Sequence, residues 1–350
     1  MVPVSNNIFL TILRDDNEMQ DWRRECVKPM IKYRGGKSRE IPWIEKYLPR
    51  FRGRYVKPFF GGGALFFYLE PRSAIINDIN HRLMSFYRAV RDDYQALHGE
   101  LDELERMYAA NRLAFERLKE IHPNGRVKDK NEELYYHLRA QFNGTEERAY
   151  SEASLYYFIN KTAYSGMIRY NAAGEFNVPF GRYSHLNTRM VTESHSRLLQ
   201  RTEIFSRDYS DIFSMCTEDD FVFLDPPYDC IFSDYGNLEY QSGFNADEHE
   251  RLASAFHDLP CKAMMIIGRT PLTESLYRNQ IIDSYAKSYA VNIRNRFKAG
   301  ATHIIVTNYS KEADFREQST PFVHPYTIPE VAQPLLFDSQ DQEADGNAFP

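Results

Sequence analysis

Cysteine is scarce and scattered. Four in 350 residues, Cys26, Cys216, Cys230 and Cys261, form no CxxC pair. That excludes a zinc ribbon and a disulfide framework, and it fits a reducing compartment. Long apolar runs are missing too. Stretches such as Ala263–Ile267 fall far short of the roughly 20 residues a membrane-spanning helix needs, so no membrane partner is expected. No charged-then-apolar leader opens the chain, and a cytoplasmic protein is expected. Neither GxGxxG nor GxxxxGK(S/T) occurs, which argues against classical dinucleotide binding and against a P-loop. An excess of basic charge is also absent, the net charge being -6.

The distribution of that charge says more than its sum. Ten basic residues lie between Lys28 and Lys57 against Glu40 and Glu45, a local +8, while 312–350 holds eight acids and one arginine, a local -7. Without the acidic tail the chain sums to +1, so a polyanion can meet strongly basic regions on a chain that is acidic overall. A solvated basic face is the plainer reading of such a stretch. With 43% hydrophobic and 26% charged residues, the composition is that of a globular protein of about two domains.

Residues 1–27 carry no period and read as an extension. From there the pattern is α/β. A strand at Arg54–Val56 runs into Gly61-Gly62-Gly63, a helix starts at Ala64, and a buried strand at Ala74–Ile76 ends in Asn77-Asp78. Strand, glycine turn, helix, strand and acid make the βαβ unit of a doubly wound sheet. Helical periodicity then spans Leu83–Leu118, Glu132–Ala140 and Glu152–Asn160. Tyr164–Tyr183, rich in Gly, Asn and Arg, reads as an ordered loop or hairpin. Strands return at Thr202–Phe205, Phe221–Leu224, Lys262–Ile267 and His303–Thr307, with a helix at Asp247–Leu259. The α/β part is thus split by a mostly helical insertion. After Asn308 the acidic, proline-dotted composition predicts a flexible extension.

Three motifs carry chemistry. Asp225-Pro226-Pro227-Tyr228 follows a strand directly, where ligands bind in open α/β sheets. Asp225 offers a carboxylate acceptor, Pro226 and Pro227 stiffen the turn and leave carbonyls free, and Tyr228 offers an aromatic face. The set suits a planar heterocycle with an exocyclic amine, although a proline turn ending a strand is the simpler alternative. Lys57-Pro58-Phe59-Phe60-Gly61-Gly62-Gly63 allows close backbone approach to a ligand. Asp78 follows Gly61 by 17 residues, close to the offset of roughly 20 for an acid that binds ribose hydroxyls. The third motif, Lys32-Tyr33-Arg34-Gly35-Gly36-Lys37, lies in the basic stretch.

In this order the three resemble the Dam-like, D12 class DNA adenine N6-methyltransferases. Lys32–Lys37 matches K-W-x-G-G-K with Tyr33 in the tryptophan's place. Pro58–Gly63 matches the E-P-F-x-G-x-G cofactor loop, and Asn77-Asp78-Ile79-Asn80 matches N-D-I-N. The similarity continues through Asn160, through Tyr164–Asn171 and through Gly174–Gly181, which looks like the family's DNA-entering hairpin. Lys57 stands where the family usually has glutamate, Ser165 replaces a usual asparagine, and 99–148 is longer than in compact members.

The resemblance implies a Rossmann-like S-adenosylmethionine-dependent methyltransferase sheet over 28–82 and 195–310. It implies an inserted helical target-recognition domain over 83–194, with the hairpin near 163–183, and leaves 311–350 as an acidic tail. It assigns S-adenosylmethionine to Tyr33, Lys37, Asp78 and Asp225 and to the loop residues Phe59, Gly61 and Gly63. Lys37 is suited either to a carboxylate of the cofactor or to a neighbouring acid. It gives the catalytic role to Asp225, Pro226, Pro227 and Tyr228 and implies no metal. It assigns double-stranded DNA to Lys32, Tyr164, Ser165, Met167, Arg169, Asn171 and Pro179, and a GATC-like site with the target adenine flipped out. A catalytically silent DNA-binding protein and a cytosine-N4 or RNA methyltransferase are the alternatives; aspartate rather than serine before Pro-Pro-Tyr favours adenine. Separately, Gln333-Pro334-Leu335-Leu336-Phe337 resembles the Gln-x-x-Leu-Phe peptides that bind the bacterial sliding clamp.

Overall fold

The structure, a computed structural model, describes residues 27–33, 35–166, 168–228, 244–287 and 301–310. The acidic tail, the clamp-like peptide, Met167 and nearly all of the N-terminal extension lie outside these residues. In chain order the elements are α1 (Ile41–Ile44), β1 (Tyr55–Lys57), α2 (Ala64–Leu69), β2 (Ala74–Asn77), α3 (His81–Asp92), α4 (Tyr94–Ile121), α5 (Lys130–Asn143) and α6 (Glu152–Thr162). They continue as α7 (Glu193–Leu199), β3 (Thr202–Phe205), α8 (Tyr209–Phe213), β4 (Phe221–Leu224), α9 (Ala246–His257), β5 (Lys262–Gly268), α10 (Pro271–Tyr277), β6 (Ile281–Lys287) and β7 (Ala301–Thr307).

Among the described residues, seven strands form one sheet in the order β3-β2-β1-β4-β5-β7-β6. β7 runs antiparallel to both neighbours, and the pairs from β3 to β5 are parallel. The short buried strands read as almost continuous apolar runs because both faces are covered. Their side chains alternate between two cores. Tyr55, Ile76, Phe221, Phe223, Met264 and Ile266 point to the face shared with α2, α3 and α6. Val56, Ile75, Val222, Leu224, Met265 and Ile267 point to the face under α8, α9 and α10.

The predicted single helical stretch from Leu83 is two helices. α3 and α4 meet at Asp93, whose backbone (φ -129°, ψ 35°) leaves the helical region. α4, 28 residues and about 42 Å long, buries Leu97, Leu101, Leu104 and Tyr108 but leaves Leu113, Leu118 and Ile121 exposed. The insertion between β2 and β3 shares its hydrophobic core with one face of the sheet.

The segment after α6 is a hairpin, as expected: Ala163 pairs with Phe180 and Tyr170 with Phe176. Helix α5 holds it. The Tyr135 hydroxyl donates to the Val178 carbonyl at 2.8 Å, and the Asn143 amide bonds Phe176 in both directions.

Candidate active site

The chain leaves β1 for β2 and β3 on one side and returns to β4 on the other. The carboxyl ends of β1 and β4 therefore border a crevice no crossover fills, which is where open α/β sheets bind ligands. A cavity of about 700 Å³ lies there, counting the space at its mouth. Its wall includes Tyr33, Lys37, Lys57, Phe59, the loop Gly61–Gly63, Asp78, and Asp225 to Tyr228. All ten residues expected to form the cofactor and catalytic sites thus meet in one place.

Local chemistry explains how each is held. Each polar side chain of Asn77-Asp78-Ile79-Asn80 has a separate task. The Asn77 amide donates to the carbonyls of Pro58 and Arg207 and accepts from the Arg207 N–H. Asp78 Oδ2 accepts from the Gly61 N–H at 2.9 Å and Oδ1 from the Asn80 N–H at 3.0 Å. Asn80 caps α3 through the Leu83 N–H. One tetrapeptide therefore fixes the glycine loop to the end of β2. Gly61 (φ +54°) is required twice: for its left-handed backbone, and because a Cβ there would lie 2.8 Å from the Tyr33 ring. Tyr33 packs on this loop and faces the cavity.

Lys37, only 3% exposed, sits 2.7 Å from Asp225 Oδ1 and also bonds the Tyr228 hydroxyl and the Gly35 carbonyl. Asp225 keeps 19% exposure toward the cavity. Lys37 thus lies against a neighbouring acid, one of the two kinds of group it is suited to hold. Tyr228 is half-buried, its hydroxyl 3.3 Å from Asp225 Oδ1 and its ring 5.0 Å from that of His303. Lys57 is buried, its ammonium 4.9 Å from the centre of the Phe223 ring. Burial pushes its pKa down to about 8; Asp225 opposes the fall, Lys37 adds to it, and Asp78 opposes it.

The residues expected at DNA lie on and beside the hairpin. Tyr164 is 56% exposed at its base. Ser165 (φ +55°) is exposed next to it. Arg169 is exposed and donates to Asn177 Oδ1 at 3.0 Å, and Pro179 is exposed. Asn171 forms the turn: its Oδ1 accepts from the N–H groups of Ala173 and Glu175. Lys32 is half-buried, its ammonium 3.7 Å from the centre of the Tyr183 ring. The basic stretch of 28–57 is not one surface. Lys37 and Lys57 line the cavity, and Arg54 is tied to the buried Asp220.

The sequence of residues 33–292 matches the D12 class N6 adenine-specific DNA methyltransferases. The chain belongs to this family. It is 32% identical over 291 residues to the type II methyltransferase M.CviBI of Paramecium bursaria Chlorella virus NC1A, covering 81% of this chain and 100% of that relative. To the type II methyltransferase M.MjaIII of Methanocaldococcus jannaschii it is 31% identical over 304 residues, covering 81% and 99%. To the DNA adenine methylase of Vibrio cholerae serotype O1 it is 27% identical over 228 residues, covering 65% and 74%. This methyltransferase is therefore an enzyme of DNA adenine N6-methylation on a Rossmann-like sheet.

The structure of the methyltransferase adds residues that the sequence did not single out. His303, fully buried on β7, lies with Nδ1 3.0 Å from Glu40 Oε2 and packs its ring on Tyr228. Tyr285 bonds the same carboxylate. These residues are far apart in the chain, and no local pattern signals them. Lys161 lies beside Lys32, whose ammonium bonds the Lys161 carbonyl at 3.0 Å. Burial first, and the Lys32 charge second, lower the Lys161 pKa to about 8.

Proposed function

We propose that this chain transfers a methyl group from S-adenosylmethionine to N6 of an adenine flipped out of duplex DNA, within a GATC-like sequence. The supporting observation is the convergence of Asp225, Asp78, Lys37 and the glycine loop on one cavity at the strand-order reversal. The residues fit the cofactor. Asp78 retains acceptor capacity for ribose hydroxyls, and Tyr33 and Phe59 offer aromatic faces suited to a sulfonium. S-adenosylmethionine, when bound, supplies an electrophilic methyl group.

The amine of adenine is a weak nucleophile because its lone pair is delocalised into the ring. Asp225 and the Pro226 carbonyl accept hydrogen bonds from its two N–H groups, which favours a tetrahedral nitrogen and returns the lone pair; one of those protons then leaves the methylated nitrogen for solvent. Lys37 holds Asp225 in position. Most of the acceleration then comes from positioning and electrostatics. Tyr228 flanks the flipped adenine and Tyr164 fills the gap it leaves. Lys32 and Arg169 suit guanine acceptors, and Met167 and Pro179 suit a thymine methyl group. Ser165 and Asn171 meet the strand from the same hairpin.

The test is transfer of tritiated methyl to unmethylated duplexes with and without GATC, followed by nucleoside analysis. N6-methyladenine confined to GATC duplexes is expected. N4-methylcytosine would overturn the reaction, and equal labelling of both duplexes would overturn the site.

The reading extends to where the enzyme works. A DNA substrate and the cysteine pattern support a cytoplasmic, nucleoid-associated protein. The peptide Gln333–Phe337 docks on the bacterial sliding clamp, with Leu336 and Phe337 in an apolar pocket and Gln333 at its rim. A peptide of residues 331–339 should bind purified clamp in a fluorescence assay, and Phe337→Ala should abolish binding. No binding at high micromolar peptide removes this extension.

A further inference from the structure

Lys57 ends β1 on the cavity wall with its side chain 4% exposed. Its ammonium rests on the Phe223 ring, and among the described residues it makes no hydrogen bond and no ion pair. An ammonium removed from water without a dedicated partner is costly, and an anionic ligand entering the cavity would offset that cost. Two carboxylates attract it, but both are engaged. Asp225 is held by Lys37 at 2.7 Å, and Asp78 accepts from the N–H groups of Gly61 and Asn80. Among the described residues, the cavity therefore presents a cation without a dedicated anion.

The cofactor assigned above carries a sulfonium, an ammonium and one anion, its α-carboxylate. Lys37 was the other cation suited to that carboxylate, and it is committed to Asp225 and Tyr228. We propose that Lys57 is the carboxylate-binding residue of the pocket, its ammonium pairing with the α-carboxylate of S-adenosylmethionine. This rests on the cofactor reading and adds a role to a position where the family's usual glutamate would repel that group. A charge-assisted hydrogen bond at a buried site gives selectivity as well as affinity.

The experiment is calorimetric titration of the full-length protein, without DNA at pH 7, with S-adenosylmethionine and with decarboxylated S-adenosylmethionine. Wild type should favour the carboxylated ligand by on the order of tenfold to a hundredfold, as expected for a hydrogen bond to a charged group. Lys57→Met should weaken S-adenosylmethionine by that factor, leave the decarboxylated ligand within about twofold, and so erase the preference; Lys57→Gln serves if the methionine variant does not fold. Equal weakening of both ligands, or an intact preference in the variant, overturns the assignment. Wild type that binds neither ligand overturns the cofactor reading itself, a result distinct from a failure confined to Lys57.

Discussion

If Lys57 is kept for a ligand, it should burden the ligand-free fold, and the size of the burden follows from its burial. Each tenfold change in proton affinity is worth about 1.4 kcal/mol. A fall from 10.5 to about 8 in the folded protein thus corresponds to roughly 3 kcal/mol of destabilisation by the charged side chain. Below pH 8 the ammonium is charged in both folded and unfolded chains, and the full penalty applies. Between pH 8 and 10.5 the folded protein sheds the proton while the unfolded chain keeps it, so the penalty shrinks as pH rises. Lys57→Met keeps an unbranched side chain against Phe223 and removes the charge. Urea denaturation should find the variant more stable at pH 7 by about 1–3 kcal/mol, with the gap closing by up to about 1.4 kcal/mol per pH unit above pH 8. Other lysines and tyrosines titrate in both proteins and cancel in the difference. A gap of the same size at pH 7 and pH 9.5, or a variant less stable than wild type at pH 7, would refute the reasoning. A stabilised variant that has lost cofactor selectivity would show stability yielding to binding at this position.

Asp225→Ala should abolish methyl transfer while circular dichroism shows a folded protein, with a lowered thermal midpoint because buried Lys37 loses its carboxylate; substantial residual turnover removes Asp225 from the mechanism. Arg169→Ala should lose about 1–3 kcal/mol of discrimination at one base pair, whereas uniform weakening on all duplexes with a shallower salt slope would identify a phosphate contact. Asp220→Ala should destabilise the fold by about 3 kcal/mol, because the buried Asp220 carboxylate accepts from the Arg54 guanidinium and from the N–H groups of Arg54 and Thr217. Burial raises the Asp220 pKa, but Arg54 and those amides outweigh it and the carboxyl is lowered overall. Its contribution is therefore present at neutral pH and lost as pH falls through the lowered value. Chemical denaturation that shows no loss at pH 7 would exclude this clamp between the start of β1 and the turn before β4.

What the sequence revealed were features whose cause is local. The glycine loop, the acid after β2 and the Asp225 turn each follow a buried strand, so strand, turn and acid are read in a single window. The break between α3 and α4 escaped because Val90 and Leu97, both buried, are seven residues apart. That is two helical turns, and the apolar period runs through Asp93 undisturbed. β6 escaped because, among the described residues, it pairs with β7 alone at the sheet edge. Ile281–Lys287 carries Asp283, Ser284 and Lys287 and never forms an apolar run. The Lys37–Asp225 pair and the Glu40–His303 contact join residues 188 and 263 positions apart. Only the order of strands brings them together.

The same limit conceals how the hairpin is tied to the cavity. Lys32 and Tyr33 are consecutive, and each enters a space that a glycine leaves open. A Cβ on Gly166 would lie 2.6 Å from Lys32 Cδ, and one on Gly61 would lie 2.8 Å from the Tyr33 ring. The Lys32 backbone is bonded in both directions by the Asn160 side chain, at 2.8 Å each, at the end of α6 from which the hairpin springs. Tyr33 lies on the loop that Asp78 holds. One peptide bond therefore separates a residue seated under the hairpin from a residue seated on the cavity wall. Relative movement of the two sites must strain that dipeptide or break the Asn160 bonds. Under the proposed function, this makes the spacing between base recognition and methyl transfer a property of the short segment 32–33 rather than of the long helical insertion.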